Sequence, residues 1–177
     1  LIGNYVIGER GKEINILVDE LIKYKVLIKD LISREVSYSQ RNELVTISMY
    51  IAANFELYDS FINNIEIPFS KLQMFTRVNK KFLEKYRDYI IVYTLIFGND
   101  KYKNIQDYLQ MVETSVDDSK NSDVKDIVEY EAGLTVNGIV VWKNKKDAIL
   151  LTALGEFKKV KLNEDVLIGQ EINANEK

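Results

Sequence analysis

Thr114-Ser-Val-Asp-Asp-Ser-Lys-Asn-Ser-Asp123 is the stretch on which the fold turns. It is polar, rich in Ser and Asp, and has Val116 as its single aliphatic residue, so it has no face to bury and reads as a linker. The hydrophobic period changes across it. Upstream, apolar residues recur every three or four positions, as on helices; downstream, short β-prone runs alternate with clusters of Gly, Asn and Asp. The expected organisation is a helical bundle over 1–113, a polar linker over 114–126 and a small β domain over 127–177. The fold class is then α+β, with the helices segregated from an antiparallel meander.

Working back from the linker, Ile105, Tyr108, Leu109 and Val112 mark a short last helix. Before it, Asn79 can cap a helix carrying Phe82, Tyr86, Tyr89, Ile90, Tyr93, Ile96 and Phe97, which Gly98 stops. Ser70 and Gln73 form a capping-box pattern over a short segment, Lys71 to Thr76, that follows Pro68, the only proline. Ser37 and Gln40 form another, opening a helix through Leu44, Ile47, Ile51, Phe55, Tyr58 and Ile62 that Asn63-Asn64 can end in the left-handed conformation. This helix is apolar around most of its circumference, which predicts a central position with Phe55 in the core. Ile14, Leu17, Leu21, Tyr24, Ile28 and Leu31 make one stripe from Lys12 to Ile32. Its heptads last about two and a half repeats, short of the ~3 to 4 that argue for a coiled coil. Four or five helices are expected.

Working forward, the β-prone runs are Ile127–Glu131, Leu134–Trp142, Ala148–Leu154, Phe157–Leu162 and Val166–Ile172, enough for four or five short strands in a sheet or small barrel. Asn137-Gly138 inside the second run predicts a hairpin turn or a bulge. Trp142, the only tryptophan, closes the most apolar strand and is expected in the core.

At 46% hydrophobic, a chain of 177 residues can build its own core. Its 24 basic and 27 acidic residues leave a net charge of -3, which argues against a globally basic nucleic-acid binder and a polybasic membrane-surface protein. No Cys means no disulfide, thiolate nucleophile or Cys-ligated zinc; no His removes triads and His-metal sites, leaving carboxylate-only chemistry open. Asp117, Asp118, Asp123 and Asp126 lack the alternating ligands and central Gly of a calcium loop, and Glu129 with Glu131 has no assignable partner. No catalytic residue, metal or cofactor is assigned. No apolar run approaches the ~18 to 20 residues that span a bilayer. Localisation leans only toward the cytoplasm, and because the chain starts at Leu1 an upstream signal or anchor stays open.

Two segments carry a specific hypothesis. Val6-Ile7-Gly8-Glu9-Arg10-Gly11-Lys12-Glu13-Ile14, continuing to Leu17, resembles the Val-Ile-Gly-x-x-Gly-x-x-Ile-x-x-Leu core of KH domains over about a dozen residues. The resemblance implies a loop at Gly8, Arg10, Gly11 and Lys12 whose backbone approaches single-stranded nucleic acid. Read by itself, the same string is a glycine-rich lead-in to a helix. The second segment is Lys71 to Arg87, where Lys71, Arg77, Lys80, Lys81, Lys85 and Arg87 face only Glu84, a local balance of +5. A short helix, a turn at Arg77-Val78-Asn79 and a longer helix could form a helix-turn-helix, with Asn79, Lys80 and Lys81 opening the recognition helix. The plainer reading is the solvated face of a helix packed through Phe82, Tyr86 and Tyr93. By elimination as much as by signal, the expected function is a non-enzymatic interaction or assembly module acting through a protein partner or self-association. Nucleic-acid binding is the alternative.

Overall fold

The computed structural model describes residues 2–110 and 135–176. The expected linker, the expected strand Ile127–Glu131 and the Asp117 to Asp126 group lie outside the described residues. The fold class is α+β, a helical part followed by a four-stranded antiparallel sheet that curls into a half-barrel. The helices are α1 (Ile2–Lys23), α2 (Ile28–Leu31), α3 (Tyr38–Ala53), α4 (Phe55–Asn64), α5 (Phe69–Phe75), α6 (Lys80–Lys85), α7 (Arg87–Gly98) and α8 (Lys103–Tyr108), with a 3-10 turn at Asp100–Tyr102 before α8.

The helices outnumber the four or five expected because three of the long periodic segments are broken. Lys25 takes a left-handed conformation (φ 62) and separates α1 from α2. Asn54, at φ -95 and ψ 117, ends α3, and its side chain accepts from Leu57 N at 3.1 Å to cap α4. Tyr86, at φ -108 and ψ 23, divides α6 from α7. The capping box at Ser37 and Gln40 forms as read. The one at Ser70 and Gln73 does not: α5 starts two residues earlier, at Phe69 after Pro68, without a side-chain cap. It is Ile65 (φ 54), rather than Asn63 or Asn64, that takes the left-handed conformation after α4.

The break at Asn54 also corrects the expected core. Phe55 is 84% exposed, while Leu57 and Phe61, two and six positions on, are fully buried. A stripe drawn straight through residues 37–62 counts Phe55 with Ile51, but α4 starts afresh with its own phase. The central helix is α7, in which every residue from Tyr89 to Ile96 is buried. It packs on α3, where Ser48 Oγ donates to Leu44 O at 2.7 Å and reaches Ile90 O at 3.3 Å, a small side chain bringing two backbones close.

The strands are β1 (Thr135–Lys143), β2 (Asp147–Leu151), β3 (Phe157–Lys161) and β4 (Glu171–Asn175), in the order β3-β2-β1-β4. Asn137 and Gly138 are neither turn nor bulge: both lie inside β1, paired with Asn173 and Ile172 of β4. The bulge falls between Val140 and Trp142 and places Trp142 opposite Ile149. It turns Val141 and Trp142 to the same side of the sheet, where both pack on the helical core. Val166 to Gln170, expected to be strand, is a loop with Gly169 at φ 90, and β4 follows it. A bridge between Val160 and Glu176 draws the sheet's two edges together. Inside the curl lie Val140, Ala148, Leu150, Val160 and Val166. On the other face, Ile139, Val141, Ile149, Leu151 and Phe157 belong to the core of the helices.

Candidate interaction site at the seam between helices and sheet

The seam is built from three contacts. At one end, Arg10 of α1 donates from Nε and Nη2 to Gly169 O at 3.0 and 2.8 Å. A Cβ on Gly11 would lie 2.8 Å from Ile168 O, and one on Gly169 would lie 2.7 Å from Gly11 N. Two glycines thus let a helix backbone and a loop backbone touch, and the loop needs glycine at Gly169 for its positive φ as well.

In the middle, α7 presents Tyr89 and Tyr93 to the β2–β3 turn. Tyr93 Oη donates to Gly155 O at 2.5 Å, and the Tyr89 ring meets Phe157 edge-on at 6.1 Å. Tyr89 Oη also donates to Leu31 O at 2.5 Å, so one side chain ties the end of α2, α7 and the sheet together. Burial holds the Tyr93 hydroxyl well above its ordinary pKa, and burial, with Asp88 nearby, pushes Tyr89 up to about 12. At the third contact Gln110 N donates to Ala153 O at 2.7 Å, just after Tyr108, whose hydroxyl burial and Glu171 push up to about 12. Arg10 stacks over the Tyr108 ring at 5.6 Å.

The Gly8 to Lys12 string is therefore not a loop, and within it Arg10 and Gly11 belong to this seam. All of the string is helical in α1, which corrects the KH-like expectation. The resemblance matched spacing alone; the chain has a continuous helix where that family has a turn. Lys12 pairs with Glu9 at 3.4 Å in solvent.

The basic segment forms α5, a turn and α6, but α6 is a short helix and its continuation α7 is buried, so no long recognition helix stands free. Asn79 caps α6 by accepting from Lys81 N at 2.8 Å. Lys80 lies 3.9 Å from Glu84, Lys85 stacks over Tyr86, and Arg87 donates to Tyr24 O at 3.0 Å. Arg77 and Lys81 are exposed. Since Tyr24 lies near the far end of α1 from Arg10, roughly 20 Å of helix separates the two basic sets. The sequence sets Tyr86, Tyr89 and Tyr93 on one helix and Arg10 and Gly11 on another, but gives no sign that Tyr93 meets Gly155 or that Arg10 and Gly11 meet Gly169. Among the described residues no helix is long and apolar enough to cross a membrane, and no acidic cluster is arranged to hold a metal ion.

Residues 136–174, nearly the whole sheet, match the family described as anti-sigma factor N-terminus. The chain is also similar to RNA polymerase sigma factor SigI2 of Acetivibrio thermocellus, 29% identical over 115 residues, covering 64% of this chain and 43% of that protein. It is 28% identical over 104 residues to RNA polymerase sigma factor SigI of Bacillus anthracis, covering 58% of this chain and 43% of that protein. The chain thus spans less than half the length of these relatives. Aligned stretches of this length cannot fit within the sheet and, wherever they begin, take in α6 and α7. No solved structure matches. The likenesses support a regulatory, protein-interacting class of function. They add nothing to a structural-protein or DNA-binding reading.

Proposed function

We propose that the chain pairs a sigma-factor-like helical half with an anti-sigma-type sheet docked upon it, so that the seam is a regulatory protein–protein contact made within one polypeptide. The observation that carries this is a coincidence of boundaries. The stretch similar to anti-sigma factor N-termini runs from β1 to β4, and the outer face of that same sheet completes the core of the helices. A docked sheet covers Tyr89 and Tyr93 of α7, a helix the sigma-factor likeness must include, and a covered helix cannot meet another protein. The action is by occlusion and requires no catalytic group. The test is binding of bacterial RNA polymerase core by the full chain and by Gly169→Val, whose side chain would force the 166–170 loop away from α1. With helical circular dichroism retained, the variant should bind at least ten-fold more tightly than the native chain. Equal binding, or none by either, would sink the proposal.

A second reading, nucleic-acid contact through Arg77, Asn79, Lys80, Lys81, Lys85 and Arg87, is favoured by the exposure of Arg77 in the turn after α5 and of Lys80, Lys81 and Lys85 on α6. Changing Lys80 and Lys81 to Ala should then weaken binding to duplex DNA ten-fold or more at low salt and flatten the salt slope by up to about two units. Binding unchanged by the double substitution would dismiss it.

A further inference from the structure

We propose that the cleft between the α2–α3 connection and β3 binds a small oxyanion, a carboxylate or phosphate group, through Arg41. The cleft has a volume of about 340 Å³ and opens where the two halves of the chain meet. Ile32, Arg34, Val36 and Arg41 form one wall, and Glu156, Phe157 and Lys159 face them from the sheet.

Arg41 is 3% exposed. Its Nη2 donates to Asn42 Oδ1 at 2.7 Å and its guanidinium lies over the Tyr38 ring at 4.7 Å. Its Nε and Nη1 are buried and have no hydrogen-bond partner. A guanidinium cannot shed its charge, and a buried cation left without an anion is strongly unfavourable. Nearly every buried charge in a folded protein finds a counter-charge, so two idle donors on a buried arginine that lines a cleft point to a group that arrives from outside.

The surroundings fit an anion of modest charge. Lys158 lies 4.0 Å from Glu156 and 3.6 Å from Glu176, which engages two of the three carboxylates around the cleft. Arg34, Arg41 and Lys159 then face Glu35, and none of these three cations forms an ion pair among the described residues. Planar guanidinium recognises carboxylate and phosphate oxygens with directional, charge-assisted bonds. Because both halves of the chain line the cleft, a bound anion stabilises their docked arrangement by mass action. The inference concerns binding alone and stands whether or not the sheet acts as an anti-sigma unit.

The experiment is calorimetric titration and thermal unfolding of the full chain with inorganic phosphate and, separately, with succinate, each against chloride at equal ionic strength. Saturable binding and a rise in Tm are expected with at least one of them, and which one assigns the phosphate or the carboxylate as ligand. Arg41→Met should keep or raise the Tm in chloride, because it removes the buried charge, and should lose the anion response. The double variant of exposed Arg34→Gln with half-buried Lys159→Gln should weaken binding about ten-fold with the fold intact; if Arg41→Met does not fold, this variant decides. No saturable response to either anion, an undiminished response in Arg41→Met, or undiminished affinity in the double variant would overturn the proposal.

Discussion

Phe55 and Phe61 sit six positions apart on what the sequence presents as one apolar helix, yet the first is 84% exposed and the second fully buried. Phe61→Ala should therefore cost about 3 to 5 kcal/mol, the usual range for emptying a packed aromatic site. Phe55→Ala should stay within about 0.5 kcal/mol, as surface substitutions do. Urea unfolding of the two variants checks the pair; a large loss at Phe55 would place it in a contact that the fold as described lacks. The seam tyrosines make a second prediction at this scale. Tyr89 and Tyr108 are raised from 10.0 to about 12, so between those values the unfolded chain has lost protons that the folded chain retains. Stability is then full below about pH 10 and falls as pH rises toward 12. Equilibrium unfolding across that window, with tyrosinate absorbance at 295 nm, should show hydroxyl ionisation lagging in the folded state. Free titration of every tyrosine near 10 would contradict the burial.

Among the elements, α1 offers an internal control. Gly8 and Gly11 lie on the same helix, but a Cβ at Gly8 meets nothing within 4 Å while one at Gly11 meets Ile168 O at 2.8 Å. Gly8→Ala should stabilise by about 0.5 to 1 kcal/mol through the lower entropy cost of alanine in a helix. Gly11→Ala gains the same propensity but forces the 166–170 loop outward, for a net loss of about 1 kcal/mol or more. Thermal melts of both variants decide it; equal gains would mean that α1 and the loop do not touch. The elements also mark where periodicity stopped being informative. The Ser37 and Gln40 capping box was legible because its hydrogen bonds are local. The breaks at Lys25, Asn54 and Tyr86 were not, because a stripe of apolar residues stays plausible when a helix ends and restarts in a new direction.

For the whole molecule, the sheet's outer face and the helices share one hydrophobic cluster, although the two parts are far apart in period and composition. Trp142 in β1 reports on the sheet and circular dichroism at 222 nm on the helices, so the two signals should follow one coincident thermal transition. Two separated midpoints would mean that the parts fold independently. A proteolytic cut within 114–123, the stretch expected to be the linker, should leave two fragments that elute together in size exclusion, held by the seam rather than by the chain.

The sequence by itself determined the α+β class, the order of helices before strands and most of the residues that line the core, because those follow from hydrophobic period and local turn chemistry. It also left the candidate site half-visible, in a row of tyrosines and in Arg10 and Gly11, whose partners were unnamed. Only the tertiary structure decided that Gly11 rests on Ile168, that Tyr93 donates to Gly155 and that Arg41 faces a cleft with two donors idle. Each of these joins residues more than sixty positions apart or depends on which way a helix was turned, and the pairing of distant surfaces leaves no periodic trace along a single chain.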